Sequence, residues 1–221
     1  TNSLVETSGG STYLARFDAS GNVLWVRTVA GTNGNFNFYH QLVADPAGNV
    51  TLSSLAQNSV TVGNTNLTVP GQKGVLAQFD ANGNLRWAQV LSGWAYYMTY
   101  NSGVIYGSLN SNPTNFIGGI TNTSDRQWTL FALNATNGQA IWLRNIASAQ
   151  GQGTPADQPA VAVSGTNVFV VGTAVGSNAV FGSYSLSWPE NLGQYFARYD
   201  TNGTAHTATT FGSSTLYPWT A

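Results

Sequence analysis

The side chains in this sequence able to do chemistry are few, and most fall at chain reversals. Asp18, Asp45 and Asp80 each open the phrase Asp-x-x-Gly-Asn, and Asp200 opens the variant Asp-Thr-Asn-Gly-Thr. Such a phrase resembles part of a calcium loop, but calcium takes about six to eight oxygens, usually with several carboxylates. Each phrase offers one, so these residues are expected to cap turns, the Asp side chain bonding backbone two residues on. His40 and His206 are the only histidines. A hydroxyl nucleophile would need an oriented base beside it, and no Gly-x-Ser-x-Gly elbow is present, so neither histidine is expected to be catalytic. With the turn aspartates set aside, Glu6, Asp125, Asp157 and Glu190 remain as carboxylates that could pair for glycoside hydrolysis. The sequence brings no two of them together. There is no cysteine, which excludes disulfides, thiolate metal sites and cysteine nucleophiles. The reading is non-enzymatic, with no cofactor and no metal.

Aromatic side chains are the other resource. Trp188, beside Pro189 in the stretch Ser185-Leu-Ser-Trp-Pro-Glu-Asn-Leu192, lies outside the repeat pattern and is a candidate to project from the face. With Trp94, Tyr96, Tyr97, Trp128 and Trp219 it could stack against sugar rings while Asn and Gln donate hydrogen bonds. Trp188, Trp94, Tyr97 and Trp128 are the candidate ligand-binding residues. The favoured reading is that these rings pack loops onto the strands below, and the ligand-binding role is its alternative.

Composition limits the partners. Charged residues make up 7% of the 221, against about 25% in an average soluble protein, so the surface must be solvated by Asn, Thr, Ser, Gln and Gly. A polar, uncharged surface of this kind points to a secreted or cell-surface protein. The seven basic residues are spread singly along the chain, which leaves no patch to neutralise a phosphate backbone; nucleic acid is not an expected partner. No apolar run approaches the ~20 residues of a membrane helix, and membrane insertion is not expected. Residues 1–4 lead into neither a basic nor an apolar segment, so no signal peptide is read here.

The elements that must position these residues repeat. Tyr13-Leu-Ala-Arg-Phe-Asp-Ala-Ser-Gly-Asn-Val-Leu-Trp25 recurs as Val75-Leu-Ala-Gln-Phe-Asp-Ala-Asn-Gly-Asn-Leu-Arg-Trp87. It recurs again as Thr129-Leu-Phe-Ala-Leu-Asn-Ala-Thr-Asn-Gly-Gln-Ala-Ile-Trp142 and as Tyr195-Phe-Ala-Arg-Tyr-Asp-Thr-Asn-Gly-Thr-Ala-His-Thr207. Each reads strand, tight turn, strand. A second hairpin phrase alternates with it: Gln41–Leu52, Tyr96–Tyr106 and Ala160–Val170. The flanking runs are β-branched and aromatic, with Asx beside Gly at each reversal and no sustained helical period. Two hairpins per copy give four strands every roughly 55–65 residues, and a four-stranded sheet cannot bury both its faces alone. Copies leaning on one another around an axis solve that, which predicts an all-β chain folded as a β-propeller. The repeat units run roughly 1–37, 38–93, 94–156 and 157–212, with 213–221 beginning or closing another. The extra length lies between second and third strands, at 57–73, 110–127 and 176–194. Trp25, Trp87 and Trp142 are predicted to fill the wedge between neighbouring sheets; the fourth copy has Thr207 instead, with a polar strand to Thr210.

The phrases Val43-Ala-Asp-Pro-Ala-Gly-Asn-Val50 and Val75-Leu-Ala-Gln-Phe-Asp-Ala-Asn-Gly-Asn84, followed by Trp87, resemble the bacterial beta-propeller repeat often called SBBP. The resemblance covers nearly the whole chain. It implies a propeller in a secreted or surface bacterial protein, with no general catalytic motif. Leu130–Trp142 also resembles the blade phrase of pyrroloquinoline-quinone dehydrogenases, but the calcium-holding acids of those enzymes cannot be assembled here, so the cofactor does not carry over. The chain opens inside a blade and is expected to be a piece of a six- to eight-bladed propeller, or else a small ring closed by its two ends. The expected role is a non-catalytic binding or assembly module whose partner is a protein or a glycan. A carbohydrate-binding propeller is the first alternative and a propeller glycoside hydrolase the second. Self-association through open blade edges is also foreseen.

Overall fold

The computed structural model describes residues 11–31, 40–110, 114–123, 128–148, 158–176, 178–190 and 192–214. Among these residues every regular element is a β-strand, and every pairing is antiparallel.

The strands fall into four consecutive units. The first holds β1 (Ser11–Phe17) and β2 (Val23–Gly31). The second holds β3 (Gln41–Ala44), β4 (Val50–Val62), β5 (Thr65–Phe79) and β6 (Leu85–Val90). The third holds β7 (Trp94–Asn101), β8 (Val104–Asn110), β9 (Thr114–Ile117), β10 (Ile120–Thr123), β11 (Trp128–Asn134) and β12 (Ala140–Ser148). The fourth holds β13 (Ala160–Ser164), β14 (Asn167–Val175), β15 (Asn178–Phe181), β16 (Tyr184–Ser187), β17 (Leu192–Asp200) and β18 (Ala205–Ser214). Each complete unit is a four-stranded meander, seen most simply as β13-β14-β17-β18.

The extra length between second and third strands is itself β-structure. Beyond a bulge at Gln57/Asn58, β4 and β5 continue as a hairpin with residues 63–64 at its tip, and Val60–Val62 of this extension pair with Val29–Gly31, the outer strand of the unit before. The β15–β16 hairpin does the same one repeat later: Ala179–Phe181 pair with Ile146–Ser148 of β12. The β9–β10 hairpin reaches the preceding outer strand through single bonds, Ser92 N–H donating to Phe116 O and Gly118 N–H to Gln89 Oε1. An arm of each unit thus lies along the unit before it, which is why strand pairing joins the first two units into one sheet.

Strand alternation puts successive side chains on opposite faces, and successive units stack face to face. Val75, Ala77 and Phe79 join Leu14, Trp25 and Val29 of the first unit in one core. Leu76, on the opposite face of β5, joins Ile105, Leu109, Phe131 and Leu133 of the third unit in a second. Leu130 and Ala132 turn the other way and meet Val168, Val170, Tyr195, Ala197 and Tyr199 of the fourth unit in a third core. Three cores for four units is what a stacked array requires, because each internal unit is covered on both sides.

Polar contacts near the innermost strands fix the stacking. Ser53 Oγ donates to Ala95 O at 3.1 Å, and Ser108 Oγ donates to Pro159 O at 2.9 Å. Both serines are buried, and each bonds a carbonyl at the start of the next unit.

Candidate functional site at the repeat junctions

The turns that open the outer strands β2, β6 and β18 are each closed by their own acid, Asn134 taking that place before β12. Asp80 Oδ1 accepts from the backbone N–H of Asn82 (2.9 Å) and of Asn84 (2.8 Å), while Oδ2 accepts from Asn84 Nδ2 at 3.0 Å. Asp18 makes the equivalent three bonds to Ser20 and Asn22. Asp45 accepts from Asn49 N–H and Nδ2. In the fourth unit the side-chain donor is His206, whose Nε2 lies 3.0 Å from Asp200 Oδ2. At Asp18, Asp80 and Asp200 these bonds favour the ionised carboxylate. The Asn22 side-chain amide holds Asp18 below the ordinary carboxyl value, the Asn84 backbone amide does so for Asp80, and the His206 ring does so for Asp200. Each carboxylate is thus engaged with its own turn or the strand that follows it, as turn capping predicts.

Those turns in turn receive the preceding unit. Trp25 Nε1 donates to Ala81 O at 3.0 Å, Trp87 Nε1 to Ala135 O at 3.1 Å, and Trp142 Nε1 to Thr201 O at 2.9 Å. The acceptor is each time the residue just after the turn acid or its Asn134 counterpart. Two residues on, and so on the same strand face, a second long donor follows. Arg27 Nε reaches Gly83 O, Gln89 Nε2 reaches Gly138 O at 2.9 Å, and Arg144 Nε reaches Gly203 O at 2.8 Å. The guanidinium carbons of Arg27 and Arg144 also lie 5.7 and 5.6 Å from the centroids of their own strand's indoles, within cation–π reach. The indole rests on the turn glycine: a β-carbon built at Gly83, Gly138 or Gly203 would come within 2.8 Å of Trp25, Trp87 or Trp142. All three junctions therefore carry one latch, Trp-x-Arg or Trp-x-Gln against the carbonyls of a glycine turn. The wedge-filling role predicted for the tryptophans is carried out by this contact.

Two clefts open beside the latch. One, of about 510 Å³, is lined by Arg27, the hairpin tip Gly63–Asn64–Thr65 and the turn residues Gly83 and Asn84. Another, of about 180 Å³, sits at the equivalent place one repeat later, between Gln89, the tip Gly118–Gly119 and Gly138. Their polar lining offers amide and guanidinium donors and backbone carbonyl acceptors. Apart from the Thr65 hydroxyl, the polar groups that line the two clefts are amides, a guanidinium and backbone groups suited to hydrogen-bond recognition.

The aromatic residues singled out from the sequence do not form one exposed platform. Trp188 is buried against Gly193, where a β-carbon would sit 2.1 Å from its ring, and its Nε1 donates to Gly176 O. Its candidate role on a projecting loop is corrected in favour of packing: β16 runs up to Ser187, and the indole joins the core that holds Phe181 and Tyr195. Trp128 is buried edge-to-face on Tyr96, with centroids 5.5 Å apart. It therefore offers no ring face to a ligand either. Trp94 is half-buried against the same core. Tyr97 alone is exposed, at 42%, and its φ of 44° places it in the left-handed region. It sits in a bulge of β7, where Tyr97 and Met98 face the single residue Gly107. Trp219, Glu6, Asp125 and Asp157 lie outside the described residues.

Among the described residues no three His, Asp or Glu side chains converge to hold a metal. His40 is exposed ahead of β3, while His206 is on β18, two units later. No family model and no curated protein sequence matches this chain.

Sequence reasoning missed the second half of the latch. Arg27, Gln89 and Arg144 follow their tryptophans at a constant +2 spacing, a signal present in the sequence.

Proposed function

We propose that the chain is an arc of β-propeller blades and serves as a non-catalytic binding or assembly module of a secreted or surface bacterial protein. The observation that carries this reading is the threefold repetition of one junction. The Trp-x-Arg and Trp-x-Gln pairs hold sheet to sheet, and the turn acids shape the turns that receive them. Groups held in this way supply rigidity and no reacting atoms. What remains for a partner is the rim: the junction clefts, the hairpin tips, and exposed rings such as Tyr97 and Phe116. A rigid rim with low charge suits recognition of a protein or a glycan by hydrogen bonds and ring contacts.

Two measurements on the whole chain test the reading. Chromogenic glycoside, ester and peptide substrates should show no turnover above an Asp80→Asn, Asp200→Asn double variant. Glycan and extracellular-protein arrays should show saturable binding that weakens when Tyr97 or Phe116 is replaced by Ser. Turnover lost in the double variant would make the chain an enzyme and overturn the proposal.

A further inference from the structure

Among the described residues, the first unit presents a finished acceptor face with no strand upon it. In the second, third and fourth units the positions on the third strand that face the preceding sheet are Val75 and Phe79, Thr129 and Leu133, Tyr195 and Tyr199. All six are between 0% and 1% exposed. The same positions in the first unit are Tyr13, at 64%, and Phe17, at 56%. Leu24 and Val23, next to them on β2, are 52% and 46% exposed. Such a contiguous apolar face is unusual on an isolated surface and marks a contact.

The turn beside that face is also complete. Asp18 closes it with the same carboxylate bonds as Asp80. Gly21 has φ +83°, close to the +78° of Gly83 and the +79° of Gly203. Yet a β-carbon at Gly21 would meet nothing within 4 Å, where the other two meet an indole at 2.8 Å. The pocket for a tryptophan ring is built and open.

We propose that this face docks a further four-stranded repeat whose outer strand carries Trp-x-Arg or Trp-x-Gln. Its indole lies on Gly21 and donates to Ala19 O, and its second donor reaches Gly21 O. The occupant is not this chain's own fourth unit or that of a second copy, because Thr207 and Thr209 stand on β18 where Trp142 and Arg144 stand on β12. The inference stands on the three junctions and is independent of the role proposed above.

The full chain tests it, with the latch moved to the end that lacks it. Thr207 and Thr209 are on the outer strand and not buried, so the T207W/T209R pair is compatible with folding. Combined with F17D, which blocks the acceptor face, it gives a donor-only chain; the unaltered chain is acceptor-only. Sedimentation equilibrium should show a one-to-one complex of the two. Its association constant should fall about tenfold or more when the acceptor partner carries F17D or, as a second blocking variant, Y13D. The urea midpoint of each variant establishes that it is folded. Three results would overturn the proposal: no complex between folded partners, a complex indifferent to both blocking substitutions, or unaltered chains that associate with one another through Phe17 as tightly as with the donor variant.

Discussion

The indole of Trp142 rests on the α-carbon of Gly203 in the following repeat. A β-carbon there would lie 2.8 Å from its Cδ2, and Nε1 donates to Thr201 O at 2.9 Å. Only glycine satisfies both demands, a left-handed backbone and a ring at contact distance. The two can be separated, because Gly21 shares the backbone and lacks the ring. Gly203→Ala and Gly83→Ala should therefore cost more than Gly21→Ala by about 1–3 kcal/mol, the usual penalty for overpacking. The backbone cost of about 1–2 kcal/mol is common to all three. Urea denaturation gives the comparison, and equal losses at the three positions would remove the ring-on-glycine contact from the account.

Phe181 tests the arm that each unit lays along its predecessor. It is fully buried, pairs with Ile146 across the junction, and packs on Tyr195 with centroids 4.7 Å apart. Phe181→Ala should destabilise the chain by about 3–5 kcal/mol. Amide exchange at Ile146–Ser148 should accelerate well ahead of exchange in β17. Uniform acceleration across the chain would mean that the arm is not a separate structural element.

Acid should act on the turns. The carboxyl groups of Asp18, Asp80 and Asp200 all titrate below the ordinary value of 3.8. For a group whose folded pKa is depressed, the unfolded chain binds the proton more readily, so stability rises with pH through that window. The contribution is complete above about pH 5 and is lost as pH falls through and below 3.8. Thermal midpoints should fall modestly on the acid side of pH 4, and Asp80→Asn should flatten that limb. An acid limb unchanged in the variant would place the sensitivity elsewhere.

Tyr97 holds a φ of 44° with its ring partly in solvent. A non-glycine residue in that conformation costs about 1–2 kcal/mol. Tyr97→Gly should leave stability unchanged or raise it, whereas the β-branched Tyr97→Val should lower it. If Tyr97→Gly proved the more damaging of the two, the ring itself would be holding the bulge.

Much of this architecture is legible in the residues. The two alternating hairpin phrases mark the four-stranded units, because Asx-Gly reversals and β-branched flanks are local signals. The three over-long connections are also visible, but not what they become. Val60-Thr-Val62 and Ala179-Val-Phe181 are too short to show a period, and their pairing partners lie some thirty residues upstream in the neighbouring unit. Long-range pairing of this kind leaves no local trace. The candidate rings fared worse for a related reason. Trp188 looks like an exposed platform because it falls outside the repeated phrase, yet the burial of a ring depends on what other strands bring to it, Gly193 for Trp188 and Tyr96 for Trp128.

Because one indole, one long polar side chain and one glycine turn suffice at every boundary, the rule for joining two units is written entirely within the pair. An unequal crossover between any two of these outer strands would recreate a complete boundary on both sides of the cut. A gene built in this way can lengthen or shorten by whole units without having to evolve a new interface, and its size becomes a heritable variable separate from its surface.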